Sequence, residues 1–294
     1  MAEEAEGKVR HSSSAPLLHY PQLLSSTSTV RSLLERYNLR PDKAFGQNFL
    51  VDAHALSHII EAAQISSDDT VLEIGPGLGV LTRELASRAR HVTTVELDKR
   101  LLPVLQETLK DFSNLSLVHE DGLKFDLTTL PVDSLLVANL PYNVGTAILV
   151  RALESSRFKR LVFLVQKEVA ERLTAAPGTK SYGALSLIVK YFGAAKRTAD
   201  VKPSSFFPAP EVTSSIVCIE TDTKVQAQPE LFNFIHTAFR HRRKTLKKNL
   251  TMAGYETPRV LNVLTTLGLN SDVRAEALSL AAFQSLYQGL HESQ

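Results

Sequence analysis

The sequence predicts an α/β fold, with a mostly parallel sheet, helices on both of its faces and a small all-helical unit at the C-terminal end. Three observations carry this. Short apolar runs alternate with helical patterns from Thr70 to Val165, which is the signature of βαβ units. A glycine-rich turn, Gly75 to Gly79, follows the first of those runs. Past a polar stretch at Thr221 to Pro229 the pattern becomes helical throughout, from Glu230 to about Leu290. Ligands bind such sheets beyond the carboxyl ends of the strands, so residues just past each strand are the first candidates for a site.

Taken in order, residues 1–28 are rich in Ser and show no sustained period, and a flexible tail is expected there. From Thr29, Val30, Leu33 and Leu34 fall on one side of a short helix that ends near Asn38, before Pro41. Lys43 to Leu50 leads into a second helix over His54 to Ala63. Strands are expected at Thr70–Ile74, His91–Val95, Leu115–His119, Leu135–Ala138 and Arg160–Val165, with helices at Val80–Arg88, Lys99–Lys110 and Thr146–Ser155 between them. Helices near Lys167–Thr174 and Tyr182–Tyr191 precede two further strands, Ala194–Val201 and Ser214–Glu220, which can pair antiparallel. The expected division is a tail over 1–28, an α/β domain over 29–222 and a helical domain over 223–294.

Composition narrows the class. Apolar residues make up 44% of the 294 and charged residues 22%, the proportions of a soluble globular protein. The apolar runs, such as Leu161 to Val165, fall far short of the ~18 residues of a membrane span. Cys218 is the only cysteine, so neither an intrachain disulfide nor a thiolate metal cluster can form within the chain. Glu3, Glu4 and Glu6 in the first ten residues fit neither a secretory signal nor a transit peptide, and a cytoplasmic location is expected. His236 and His241 have no companions at metal-ligand spacing, and no catalytic metal is expected.

The run Val71 to Gly79 is a strand that breaks into a G-P-G-L-G turn and re-enters a helix. Glycines at alternate positions let a backbone turn sharply and let a ligand approach closely. The next strand ends at Glu96, 21 residues past Gly75, where a carboxylate can accept both hydrogen bonds of a ribose diol. Asp121, past the third strand, can accept from an adenine amine. The spacing differs from the G-x-G-x-x-G that grips a pyrophosphate. A donor without phosphates is expected, and S-adenosylmethionine is one.

The fourth strand runs into Asn139-Leu140-Pro141-Tyr142. An aromatic amine is a poor nucleophile because its lone pair is delocalised into the ring. The Asn139 amide oxygen and the Leu140 carbonyl can accept both amine hydrogens and so aim that pair. Pro141 restricts the backbone around that carbonyl, and Tyr142 offers a ring for an extruded base.

Five ordered motifs give the chain its resemblance to a known family: Phe45 to Leu50 (F-G-Q-N-F-L), Gly75 to Gly79, Asn139 to Tyr142, Phe206 to Val212 (F-F-P-A-P-E-V) and the basic run Arg242-Arg243-Lys244 with Leu246. The chain resembles the ribosomal RNA small subunit adenine dimethyltransferase family, of KsgA type, from about Ser32 to its end. The resemblance implies a Rossmann-like class I methyltransferase sheet plus a small all-helical C-terminal domain. It also implies cofactor contacts by Asn48, Leu50, Gly75, Gly77, Glu96, Asp121 and Asn139, catalytic work by Asn139, Leu140, Pro141 and Tyr142, and stacking of Phe206 on the target base opposite Tyr142. Phe207, its neighbour, is expected to pack inward. The family usually continues N-L-P-Y with Asn-Ile-Ser, whereas Asn143-Val144-Gly145 stands here.

Arg240, Arg242, Arg243, Lys244, Lys247 and Lys248 crowd into nine positions, and no acidic residue occurs between Leu231 and Tyr255. One-signed charge of this density fits a polyanion, so RNA phosphates are the expected partner. A helix there would turn Arg240, Lys244, Lys247 and Lys248 to one face and Ile235, Phe239, Leu246 and Leu250 to the core. Arg36, Arg40 and Lys43 could extend the patch. The implied partner is small-subunit ribosomal RNA or its precursor, and the implied state a monomer. Two alternatives share the fold: the large-subunit adenine methyltransferase of the resistance type, and a nucleic-acid-binding assembly or transcription factor that no longer transfers methyl groups.

Overall fold

The computed structural model describes residues 24–42 and 45–291. Lys43 and the expected tail as far as residue 23 lie outside the described residues. The last part of that tail is ordered: Leu24 is buried, and helix α1 (Thr27–Arg36) starts two residues earlier than its apolar period indicates. The reason is a cap, since the Ser26 hydroxyl accepts from the Thr29 backbone N–H at 3.2 Å and ends the unpaired first turn.

After β1 (Phe49–Leu50), Asp52 caps α2 (Ala53–Ala63). The sheet is then built from β2 (Thr70–Ile74), β3 (His91–Glu96), β4 (Leu115–His119), β5 (Ser134–Asn139) and β6 (Phe158–Gln166). Helices α3 (Val80–Ala86), α4 (Leu102–Thr108) and α5 (Gly145–Glu154) connect them, as the alternation predicts. Next come α6 (Lys167–Leu173), α7 (Ala184–Phe192), β7 (Gly193–Val201), β8 (Phe206–Phe207) and β9 (Ser214–Thr221). The C-terminal part holds α8 (Pro229–Ala238), α9 (Leu246–Met252), α10 (Thr257–Thr266) and α11 (Leu280–His291).

Strand order in the seven-stranded sheet is β4-β3-β2-β5-β6-β9-β7. The first five strands are parallel, and β9 runs antiparallel to both β6 and β7, the pairing expected of the last two strands. Strand order reverses direction between β2 and β5, which opens a crevice at their carboxyl ends. The glycine turn leaves β2 there, and Asn139 ends β5 beside it.

The central strands are apolar on both faces because both are covered. Leu72, Leu136, Leu161 and Phe163 belong to one buried cluster, while Val71, Leu135, Val162 and Leu164 belong to another, an alternation that separates the two faces. The first cluster continues without a break into Phe232, Phe234, Leu246 and Phe283, so the C-terminal helices share a core with the sheet. Phe232 sits 5.6 Å from Phe192 and 5.1 Å from Tyr191, ring centroid to ring centroid, and this joins α8 to α7. Among the described residues no helix is long and apolar enough to cross a membrane.

Candidate active site

Three loops meet at the crevice. One is the Phe45–Leu50 segment, the second the Gly75–Gly79 turn and the third the Asn139–Tyr142 run; together they line a cleft of about 750 Å³, counting the space open to solvent. The glycine turn is pinned by the Gly75 N–H, which donates to Val95 at 2.9 Å. Gly77 has φ +61°, and a Cβ on it would lie 3.0 Å from the Phe49 ring, so a side chain there would both strain the backbone and displace the Phe45–Leu50 segment.

That segment is held by a charged cluster that sequence reasoning missed. Gln47 accepts from the Asp42 N–H at 2.9 Å and donates to Asp98 at 2.8 Å. Arg100 bridges Asp98 at 2.8 Å and Asp42 at 3.2 Å. Burial pushes the Asp98 carboxyl up, but the bonds from Arg100 and Gln47 outweigh it and hold the group below its usual range.

Asn139 is half-buried on the cleft wall, and its Nδ2 donates to the backbone carbonyl of Asn48 at 3.1 Å. This contact joins the F-G-Q-N-F-L and N-L-P-Y motifs directly. It also commits the amide nitrogen as donor to the protein and leaves Oδ1 as the acceptor. Leu140 is buried, and Pro141 reaches within 3.6 Å of where a Cβ on Gly75 would stand. The Tyr142 ring lines the cleft while its hydroxyl meets Ser214 Oγ at 2.5 Å, tying the loop to the start of β9. Burial raises the Tyr142 pKa and the bond to Ser214 opposes it. Gly145, where the resembled family has serine, starts α5 against Leu140, and a Cβ there would stand 3.2 Å from the Leu140 Cβ.

Two carboxylates line the cleft. Glu96, 6% exposed, accepts the Asp98 N–H at 2.7 Å. Burial pushes its pKa up to about 7, opposed by the N–H groups of Asp98, Gly77 and Leu97 and aided by the Asp98 charge. Glu73, not singled out from the sequence, is buried beneath the turn and accepts from Thr82 at 2.6 Å and Thr94 at 3.1 Å. Burial pushes it up to about 8 against those two bonds. A lone acid inside the apolar run V-L-E-I was the signal that could have found it. None of the described residues lining this cleft is Lys, Arg or His. Asp121 lies in an adjoining cavity of about 580 Å³ that shares Phe45, Gly75 and Pro141 with the first, and its Oδ1 accepts from the Leu123 N–H at 2.9 Å.

Asn48, Leu50, Gly75, Gly77, Glu96, Asn139, Leu140, Pro141 and Tyr142 therefore gather around one cleft, with Asp121 next door. Phe206 does not join them. It is 4% exposed and packs in the cluster that holds Leu50, Leu164 and Ile216. Adjacent strand residues point to opposite faces; in β8 this buries Phe206 opposite Leu50 and turns Phe207 the other way, half-buried beneath Arg31. Phe206 is thus not among the residues that line this cleft, and the more buried ring of β8 is Phe206 rather than Phe207.

The basic run also differs from its expected form. Helix α8 stops at Ala238, and Arg240, Arg242, Arg243 and Lys244 occupy an exposed turn before α9. Buried Asn249 closes the turn: its amide donates to Ala238 at 2.8 Å and His241 at 3.2 Å and accepts the His241 N–H. Thr245 then caps α9 by accepting from the Lys248 N–H. These local bonds outcompete a continuous helix, and the cations splay from a turn instead of sharing a stripe. Lys247 is half-buried, 4.0 Å from Asp272, and Lys248 is exposed on α9. Arg36 is committed to Glu107 at 2.5 Å and so does not extend the patch as an unpaired cation. Arg242 donates to the Lys180 carbonyl, in the connection that precedes α7.

Known proteins show the same organisation. A family model described as ribosomal RNA adenine dimethylase matches residues 38–292. The Ribosomal RNA small subunit methyltransferase A of Deinococcus radiodurans is 44% identical over 268 residues, covering 91% of each chain. The protein of the same description from Clostridium botulinum is 41% identical, covering 90% of this chain and 98% of that one. Among solved structures, a dimethyladenosine transferase from Plasmodium falciparum superposes with a TM-score of 0.70 at 29% identity, covering 81% of this chain and 95% of the other. The 23S rRNA methyltransferase ErmE gives a TM-score of 0.66 at 26% identity, covering 83% and 100%.

Proposed function

This chain belongs to the ribosomal RNA adenine dimethylase family, and we propose that it transfers methyl groups from S-adenosylmethionine to the exocyclic amines of two adjacent adenines in small-subunit ribosomal RNA, giving dimethyladenosine during ribosome assembly. The observation that carries this is the Asn139 amide on the cleft wall: Nδ2 donates to the Asn48 carbonyl, which leaves Oδ1 as the acceptor for a target amine.

The cleft suits such a donor on chemical grounds. Two acidic side chains and, among the described residues, no cation line it, a lining that disfavours a pyrophosphate. Glu96, on the cleft wall, would accept from a ribose diol and Asp121, in the adjoining cavity, from an adenine amine. Asn48, Leu50, Gly75 and Gly77 would shape the rest. The bound donor supplies an activated methyl group.

The protein's own part is orientation. Asn139 Oδ1 and the Leu140 carbonyl accept the two amine hydrogens of the target, so the nitrogen lone pair is turned out of conjugation and toward the methyl carbon. As the N–C bond forms, the C–S bond breaks with its electron pair passing to sulfur. The alkylated nitrogen is acidic and gives its proton to water, so an amide serves where a base would be superfluous. Tyr142, fixed by Ser214, offers its ring to the extruded base. The exposed cations at Arg240, Arg242, Arg243, Lys244 and Lys248, with Lys247, would hold RNA phosphates. The enzyme would act as a cytoplasmic monomer on the small subunit or its precursor.

Incubation with radiolabelled donor and unmethylated ribosomal particles, followed by nucleoside analysis, tests the proposal. Label in dimethyladenosine from the small particle is expected. Label confined to the large particle, or binding without label, would overturn it.

A further inference from the structure

Two residues on the wall of the cleft come from ahead of the family match, which begins at residue 38. Leu24 and Val30 line the cleft and are each 1% exposed. They pack in a cluster with Phe49, Leu78 and Leu101, so one end of this cluster reaches the glycine turn and the other the start of α4. Leu33 and Leu34 belong to the same cluster but do not line the cleft.

Helix α1 is fastened at its C-terminal end and near its middle. Arg36 and the Tyr37 hydroxyl both bind Glu107 on α4. On the other side the Arg31 guanidinium lies 4.9 Å over the Phe207 ring, and Phe207 pairs with Phe49 across β8 and β1. A stacked guanidinium and a shared carboxylate are specific, directional contacts. Such contacts are more than an unstructured tail would keep.

We propose that the segment from Leu24 to Tyr37 is a working part of the methyl-donor site, in which Leu24 and Val30 form an apolar wall that the bound donor touches and α1 holds that wall in place. The proposal rests on the donor assignment made above. It names the donor contacts that the five motifs do not contain, because all of those motifs begin at Phe45 or later.

Titration calorimetry of the full chain with S-adenosylhomocysteine tests it. Leu24→Ala and Val30→Ala are each expected to weaken binding at least about tenfold, the size expected for cutting back one apolar side chain in a closed site. Donor-product binding is also expected to slow amide hydrogen exchange across Thr27–Arg36 in the unsubstituted protein, a readout that stands even if a variant folds poorly. No binding by the unsubstituted protein would overturn the donor assignment itself. Binding that both variants retain undiminished, with exchange in α1 unchanged, would overturn the wall while leaving that assignment standing.

Discussion

The cleft at the ends of β2 and β5 and the basic turn between α8 and α9 use opposite physics. The cleft is a buried, acid-lined space in which each loop is fixed by a neighbouring loop: Asn139 by Asn48, Gln47 by Asp98, Tyr142 by Ser214. Dipoles and carboxylates held in low dielectric act at short range and discriminate by shape. The turn is an exposed set of cations held from beneath by Asn249. Its charges act at longer range, are screened by salt and, in the function proposed, would meet a nucleic-acid backbone rather than a base. On the function proposed, one region would choose an atom and the other would hold a polymer, so changes in the two should separate cleanly.

The largest separation is expected at Asn139. Asn139→Ala should lower methyl transfer at least about hundredfold, since the amine is no longer aimed, while RNA affinity by filter binding stays nearly unchanged. A variant with full turnover would remove the amide from the mechanism. A smaller effect in the opposite sense is expected when Arg243 and Lys244 are both replaced by Ala. RNA binding should weaken and its logarithmic salt slope fall by about 2, one for each phosphate no longer neutralised, with S-adenosylhomocysteine affinity unaltered. An unchanged slope would move the RNA surface elsewhere.

The smallest effect is a pH dependence confined to the cleft. The Glu96 carboxyl, pushed up to about 7 by burial, is protonated below that pH and loses an acceptor and its charge. Donor affinity should therefore rise a few-fold, the order set by one weakened hydrogen bond, as pH passes upward through about 7. It should then level off, and Glu96→Gln should flatten the curve. The salt-dependent binding of RNA should show no matching step at that pH. A curve that keeps its slope in Glu96→Gln would assign the titration to another group, with Glu73 the first to test because burial also raises it.

Local pattern made much of this legible. The alternation from Thr70 to Val165 indicated every strand and α-helix of the parallel half, because strands covered on both faces must be apolar throughout, but not the 3-10 turn at Leu127–Thr129. The glycine turn, Glu96 and Asn139 stand out by their places after strands, and a parallel sheet brings such places together. Phe206 and the basic run were less legible. The direction of a ring in a two-residue strand depends on its partner, here Leu50, more than 150 residues away. The basic residues read as helical because their own propensity favours a helix, but Asn249 offers the backbone a competing set of bonds.

The succession of strands along the chain, the chemistry at their ends and the sign of the charge near the C-terminus were determined by the sequence alone, because each follows from residue type and short-range spacing. Tertiary structure alone decided that Leu24 and Val30 wall the cleft, that Glu73 lies buried beneath the turn and that the Asn139 amide nitrogen is tied to the Asn48 carbonyl. Each of these depends on contacts between segments far apart in the chain, and the free energy of such contacts comes from burial and pairing that no local window contains.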